Sequence, residues 1–226
     1  MVPAYTYKMI CDELEWRLKK NFENNKNASK MVGILFARPN SSIAKKEIIS
    51  NLEYFHHRSG ESIDFFCGGY GMYWESHEDE FPDQQIVAKG ETRNWLFSSL
   101  KFNEFRKEIE SKTRWQYSGS VDLLLTNVQY NSENQEVYLD FSSTLVLNLE
   151  KMISTGAIQS IEMFFEEIFR FAENTKSNNP TSSFSDKQGV SLGSNAFKQF
   201  LLSFLHKQLK DEFNKLESFV LKDVSL

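Results

Sequence analysis

The fold is decided by a short apolar run, Met31-Val-Gly-Ile-Leu-Phe-Ala37. A continuous apolar run without polar alternation is typical of a strand buried on both faces. Pro39 disfavours helical geometry at Arg38, and the segment 40–42, Asn-Ser-Ser, offers side chains that cap a helix. The sequence therefore predicts a buried strand that ends at Ala37 and a helix that begins a few residues later.

A second strand follows that helix. Ile43, Ile48, Leu52 and Phe55 recur at helical spacing and predict a helix over residues 42–57. The segment 58–60, Arg-Ser-Gly, ends it, and the segment 61–66, which contains Ile63, Phe65 and Phe66, is predicted as the next strand. Strand, helix and strand in this order form a βαβ unit, whose two strands are expected to be parallel.

The remaining segments extend this unit on both sides. An amphipathic helix is predicted over residues 4–23 and another over 98–111, with a short strand at 85–88 before the second helix. The β-rich segments 119–128 and 135–142 flank a polar turn, so they are expected to form an antiparallel hairpin. Helical patterns also cover residues 143–172 and 194–222, with a polar segment between them.

The expected fold class is α/β. We expect a mixed sheet with an N-terminal βαβ unit and an antiparallel hairpin, helices on both faces, and an appended C-terminal helical pair. The predicted organisation is an α/β domain over residues 1–172, a flexible polar loop over 173–195, and an amphipathic helix over 196–226 that packs on the body or on a partner.

Composition limits the classes of partner. The chain has 226 residues, a net charge of −5 and two cysteines. A net negative surface repels phosphate backbones, which argues against nucleic-acid binding. No apolar run is long enough to cross a bilayer, and two distant cysteines fit a reducing, cytoplasmic compartment. The abundance of Phe, Asn and Lys, which have AT-rich codons, favours a bacterial source.

The first candidate site lies where the two predicted parallel strands end. Ligands of open α/β sheets bind at the carboxyl ends of the strands. The ligand-binding residues predicted there are Arg38, Ser41, Ser42, Gly69 and Tyr70. Arginine and serine side chains donate hydrogen bonds to anions, glycine permits close approach and tyrosine can stack on a base. The competing interpretation is an ordinary helix cap followed by a surface turn.

Three other patterns are weaker indications of a metal-binding or catalytic site. Asp122 and Asp140 on the predicted hairpin superficially resemble the acids of a metal-dependent nuclease, but Ser142 stands where a catalytic lysine is needed. The acidic run 75–80 contains His77 and is better explained as a solvated loop than as a metal site. Cys67 fits a buried thiol better than a nucleophile. No metal site is predicted, and no cofactor can be named.

The last predicted helix carries a broad apolar stripe that needs a partner surface. Its predicted interaction residues are Phe197, Phe200, Phe204 and Phe213. With no complete catalytic set, the leading hypothesis is an intracellular accessory or interaction subunit, either homo-oligomeric or bound to another protein. The first alternative is a nucleotide- or small-anion-binding domain that uses the site at Arg38. The second is a divergent nuclease that uses Asp122 and Asp140.

Overall fold

Two β-sheets organise the chain. The computed structural model describes residues 2–24, 30–60, 63–72, 81–91, 94–131, 136–177, 219–222 and 224–226. In chain order their strands are β1 (Val2–Ala4), β2 (Lys30–Ala37), β3 (Asp64–Gly68), β4 (Tyr70–Gly71), β5 (Gln85–Lys89), β6 (Asn94–Phe97), β7 (Val121–Asn131), β8 (Glu136–Asn148) and β9 (Phe219–Lys222). Within these residues no helix combines the length and the apolar character that a membrane crossing requires.

Helices connect and cover the strands. They are α1 (Tyr7–Asn24), α2 (Leu52–Arg58), α3 (Ser99–Lys112), α4 (Leu149–Ser154) and α5 (Ile161–Ser177). A π-helical turn, Ala44–Ile48, and a 3₁₀ turn, Ile49–Asn51, lead into α2. The predicted helix over 42–57 is therefore present but irregular, and the π-helical turn contains the buried Glu47, which accepts a hydrogen bond from the backbone N–H of Ile161 at the start of α5.

The larger sheet has the order β1-β3-β2-β7-β8-β9. Strands β1, β3 and β2 are mutually parallel, which confirms the predicted βαβ unit. Strands β7 and β8 form the predicted antiparallel hairpin, and β7 pairs antiparallel with β2 along the whole of that strand. The mixed α/β fold class is confirmed.

Helices cover both faces of this sheet, as predicted. On one face α3 packs closely against β3. A Cβ atom added at Gly68 of β3 would lie only 3.2 Å from the Phe105 side chain of α3 and 3.1 Å from that of Phe36. On the other face the Phe65 ring lies 4.8 Å from the ring of Phe165 and packs against α5. The core is accordingly rich in phenylalanine, and the fully buried ones are Phe36, Phe55, Phe65, Phe66, Phe97, Phe102, Phe105, Phe165 and Phe169.

The smaller sheet was only partly predicted. Its order is β4-β6-β5, and all its pairs are antiparallel. A strand near Gln85 was expected, whereas β4 and β6 were not. The buried side chains of Trp95 and Phe97 anchor β6 to the main core, so the segment that follows the βαβ unit folds back as a second layer.

Several element boundaries differ from the sequence-based predictions. Residues 173–177, predicted as the start of a flexible polar loop, belong to α5, and the helix predicted over 143–172 is interrupted between α4 and α5. Residues 143–148 belong to β8 and not to a helix, because they pair with β7 on one side and partly with β9 on the other. Val2–Ala4, partly included in the first predicted helix, form an edge strand. Residues 219–222, predicted as the end of the last helix, form β9 and pair with β8.

Candidate functional site

The carboxyl ends of the parallel strands meet at one edge of the larger sheet. β2 ends at Ala37, β3 at Gly68 and β1 at Ala4. The antiparallel strand β7 begins at the same edge, since Val121 is opposite Ala37. The edge is therefore the place where Arg38 and the residues before β7 come together.

Helix α3 covers the part of this edge above β3. Gly69 has φ +79°, and a Cβ there would lie 2.6 Å from Cβ of Phe102. Tyr70 is fully buried, and its hydroxyl donates a 2.8 Å hydrogen bond to the Ala37 carbonyl. In this arrangement Gly69 allows α3 to approach closely and the Tyr70 ring belongs to the core, so neither presents an open surface to a ligand.

Arg38 occupies the open part of the edge. Arg38 is half-buried, and Cζ of its guanidinium group lies 4.6 Å from the centre of the Phe102 ring. Its Nη2 donates a 2.6 Å hydrogen bond to Oδ1 of Asn103, which is on α3. Among the described residues no carboxylate forms an ion pair with Arg38, so most of its N–H donors are available for an external acceptor.

A second guanidinium group belongs to Arg106, which follows Asn103 by about one turn of α3. Arg106 donates through Nη1 to Oε1 of Glu110 at 3.0 Å, while its Nε is buried and has no hydrogen-bond partner among the described residues. Burial and the charge of Asp122 raise the pKa of Tyr117 to about 12, while Arg38 and Arg106 act in the opposite direction. The charges of both guanidinium groups therefore act on Tyr117, which remains protonated at neutral pH.

The carboxylates around Tyr117 already have donors. Asp122 is buried and accepts hydrogen bonds from the backbone N–H and the hydroxyl of Ser118, at 2.8 and 2.6 Å. Burial raises its pKa, against the effect of these bonds. The hydroxyl of Ser120 donates to Glu150. These acids are bound by hydroxyl and amide groups, and in the part of the chain that the structure describes neither of them forms an ion pair with Arg38.

The two predicted serines have different environments. The hydroxyl of Ser41 accepts a 3.3 Å hydrogen bond from the backbone N–H of Ala44, which is the capping role that the competing interpretation predicts. Ser42 is exposed and follows Arg38 by four residues. The structure thus keeps Arg38, Ser41 and Ser42 at the open part of the edge and separates them from the covered Gly69 and Tyr70.

The two acids of the nuclease hypothesis lie apart on the hairpin. Asp122 is opposite Asn148, and Asp140 is opposite Asn127. Their positions along β7 thus differ by five residues, or about 17 Å at the rise of a strand. Asp140 instead accepts hydrogen bonds from Gln129 and Ser142. The register does not bring the two carboxylates to one metal ion.

Cys67 also has a defined environment. Cys67 is fully buried, and burial raises the pKa of its thiol, which makes it unreactive at neutral pH.

A cluster of potential metal ligands lies elsewhere, at α2. His57 lies one turn after Glu53 on α2, with Nε2 3.6 Å from Oε1 of Glu53. Glu91, which follows β5, brings a third ligand atom so that all three lie within 4.8 Å of one another.

Several predicted positions lie outside the described residues. They are the acidic run 75–80 and the interaction residues Phe197, Phe200, Phe204 and Phe213. Sequence reasoning missed Asn103 and Arg106 as neighbours of Arg38. Their spacing of three places them on one side of α3, but nothing in the sequence indicates that this side faces Arg38.

Comparisons with protein-family models, curated proteins and solved structures give no match for the chain. The functional argument therefore rests on the geometry of the chain's own side chains.

Proposed function

We propose that the protein is a small-anion-binding α/β domain whose ligand carries a phosphate or carboxylate group bound by Arg38. The single observation that carries this proposal is the half-buried Arg38, at the carboxyl edge of a parallel strand unit, whose guanidinium group has no carboxylate partner among the described residues. Open α/β sheets bind their ligands at this edge.

Electrostatics supports an anion at this position. A partly buried cation is costly unless an opposite charge or several acceptors compensate it. Arg38 has one neutral acceptor, Asn103, and an aromatic face, Phe102. Arg106, whose charge also acts on Tyr117, adds a second positive charge in the same neighbourhood. An oxyanion would provide the acceptors that the Arg38 guanidinium group lacks.

The geometry of arginine narrows the class of ligand. The guanidinium group of Arg38, which lies over the Phe102 ring, is planar and presents its N–H donors in one plane, which suits the paired oxygens of a phosphate or carboxylate. The surrounding acids Asp122 and Glu150 oppose ligands of high negative charge. A phosphate monoester, such as a nucleoside monophosphate, is therefore favoured over a polyanion.

The proposal is tested with a charge-removing variant that keeps the packing. Arg38→Met retains an apolar stem over Phe102 but has no donors. The matched control is Arg114→Met, since Arg114 is exposed. Thermal unfolding is measured for all three proteins with inorganic phosphate, adenosine monophosphate and citrate. A ligand at 100 times its Kd stabilises a protein by about 2.7 kcal/mol.

The expected result is a concentration-dependent rise of Tm in the wild type and in Arg114→Met that is absent from Arg38→Met. Equal stabilisation of all three proteins would show that the anion binds elsewhere. If none of the three ligands raises the Tm of the wild type at millimolar concentration, the proposal fails.

An accessory role in a protein assembly is the second candidate. It is supported by the apolar stripe that contains Phe197, Phe200, Phe204 and Phe213. The two free cysteines, Cys11 and Cys67, fit a cytoplasmic location. Size-exclusion chromatography with light scattering tests self-association: a concentration-independent monomer that also captures no protein from its native lysate contradicts this role.

A further inference from the structure

We propose a divalent transition-metal site formed by Glu53, His57 and Glu91, which is separate from the anion site at Arg38. Glu53 and His57 are four residues apart on α2, so they lie on the same side of the helix. Glu91 reaches them from the connection between β5 and β6. The three ligand atoms thus come from two layers of the fold.

The distances between the three ligand atoms are compatible with their binding to one metal ion. Zinc binds histidine nitrogen and carboxylate oxygen at 2.0–2.2 Å, so neighbouring ligand atoms of a tetrahedral site lie about 3.4 Å apart. Nε2 of His57 and Oε1 of Glu53 are 3.6 Å apart. All three atoms lie within 4.8 Å of one another. Since Glu91 is exposed, core packing does not oppose a side-chain rotation that brings its carboxylate closer to the other two ligands.

A hydrogen bond also fixes the orientation of the Glu53 carboxylate. Its second carboxylate oxygen, Oε2, accepts a 2.9 Å hydrogen bond from Nε1 of Trp95. Trp95 is buried in β6 and has little freedom to move. Metal-binding side chains are typically held by such outer hydrogen bonds, and this one leaves Oε1 facing His57.

Charge gives an independent argument for a cation. Two carboxylates close together repel each other unless a positive charge lies between them. Within the described ranges no lysine or arginine forms an ion pair with Glu53 or Glu91, whereas many other acids of the protein have such partners, among them Glu13, Asp64 and Glu166. A bound divalent ion would compensate both carboxylates.

The ligand types select the kind of metal. A mixed set of imidazole nitrogen and carboxylate oxygen suits zinc, cobalt, nickel or manganese better than magnesium or calcium, which prefer oxygen ligands alone. Three protein ligands leave at least one coordination position for water, as in catalytic zinc sites.

The test is a titration of the full chain with Co²⁺, followed by its visible absorption and by competition with Zn²⁺. The variants are His57→Asn and Glu91→Gln, with Glu162→Gln on α5 as a matched exposed control. Circular dichroism checks that each variant is folded. Arg38→Met should bind Co²⁺ normally, so that failure of the anion site and failure of the metal site are distinguishable.

We expect one Co²⁺ per chain, with no thiolate charge-transfer band because the set contains no cysteine. Affinity should fall by at least about 10-fold in His57→Asn and Glu91→Gln, because even outer-shell changes cost about 10–100-fold. Glu162→Gln should match the wild type. Absence of binding to the wild type, a thiolate band, or equal affinity in His57→Asn would overturn the proposal.

Discussion

At the scale of single residues, the close approach of α3 to the sheet depends on one glycine. Gly69 connects β3 to β4 with φ +79°. Its N–H donates to the carbonyl of Ala4, and its own carbonyl accepts from the N–H of Ser98, which precedes α3. A glycine at this position therefore joins β1, the sheet and α3 in a conformation that other residues rarely adopt.

Replacing Gly69 by alanine should destabilise the protein by about 2–4 kcal/mol. A positive φ costs about 1–2 kcal/mol for a residue with a Cβ. The new Cβ would also lie 2.6 Å from Cβ and 2.9 Å from Cα of Phe102, which forces the helix to shift. Urea unfolding followed by tryptophan fluorescence gives the change in the free energy of unfolding.

Gly119→Ala is the matched control. Gly119 also has a positive φ, +87°, but a Cβ there would meet nothing within 4 Å. Its substitution should therefore cost only the conformational part, about 1–2 kcal/mol. Equal losses for the two variants would show that contact with Phe102 contributes nothing.

At the scale of elements, α5 is attached to the helical segment after β2 by polar contacts at several points. Near its middle, Glu166 accepts hydrogen bonds from Arg58 of α2 and from the hydroxyl of Tyr54, at 3.0 and 2.5 Å. Glu173, further along, accepts a 3.0 Å bond from Arg58. The broad aromatic face of α5 is largely buried by the body of the protein, so this helix needs no external partner to cover it.

The bond between Glu166 and Arg58 should make stability depend on pH. Partial burial raises the pKa of Glu166, but the hydrogen bonds from Arg58 and Tyr54 outweigh it and hold the pKa below its usual value. A folded-state pKa below the unfolded value contributes stability above the unfolded pKa, and this contribution is lost as pH falls through the folded pKa.

Glu166→Gln should therefore lower the free energy of unfolding by about 1 kcal/mol at pH 7 and by much less at pH 3. Urea unfolding at a series of pH values measures the difference. Glu167→Gln is the neighbouring control, because the Glu167 pair with Arg170 is more exposed and should contribute at most about 0.5 kcal/mol. A deficit for Glu166→Gln that is equal at both pH values would contradict the assignment.

At the scale of the whole molecule, the last described residues complete the sheet. β9 pairs with residues 144–147 of β8. Beyond it, Val224 is buried, its N–H donates to the carbonyl of Phe141, and its carbonyl accepts from the N–H of Arg114. The C-terminal residues thus connect β8 to the segment that follows α3.

Deletion of residues 219–226 should destabilise the whole domain. It removes β9, the strand that pairs with residues 144–147 of β8, and it removes the buried Val224. Burial of the Val224 side chain alone contributes about 1.5–3 kcal/mol to the free energy of unfolding. With about 2–4 °C for each kcal/mol in a protein of this size, Tm should fall by at least about 6 °C. The exposed edge of β8 should also promote aggregation, which light scattering would detect during the thermal scan.

Deletion of Leu226 alone is the control, since that residue is 76% exposed and its loss should leave Tm unchanged within about 1–2 °C. If the longer deletion unfolds at the wild-type temperature, β9 makes no contribution to the stability of the sheet.

The sequence by itself determined the elements whose signal is local. The segment 31–37 is apolar throughout, and so short an apolar run favours a strand buried on both faces. The structure confirms β2 and its parallel neighbour β3. The polar turn after residue 128 likewise identified the hairpin. Arg38 was recognised as a candidate because it directly follows a buried parallel strand.

Only the tertiary structure decided the elements and sites that depend on distant neighbours. Residues 144–147 and 219–222 are compatible with helix or strand, and their mutual pairing selects the strand. Asn103 is 65 positions from Arg38, and Glu91 approaches Glu53 and His57 only because β5 and β6 fold back as a second layer. The sequence specifies which side chains are present. The distances between those side chains, which decide whether they form a site, arise from packing between separate layers.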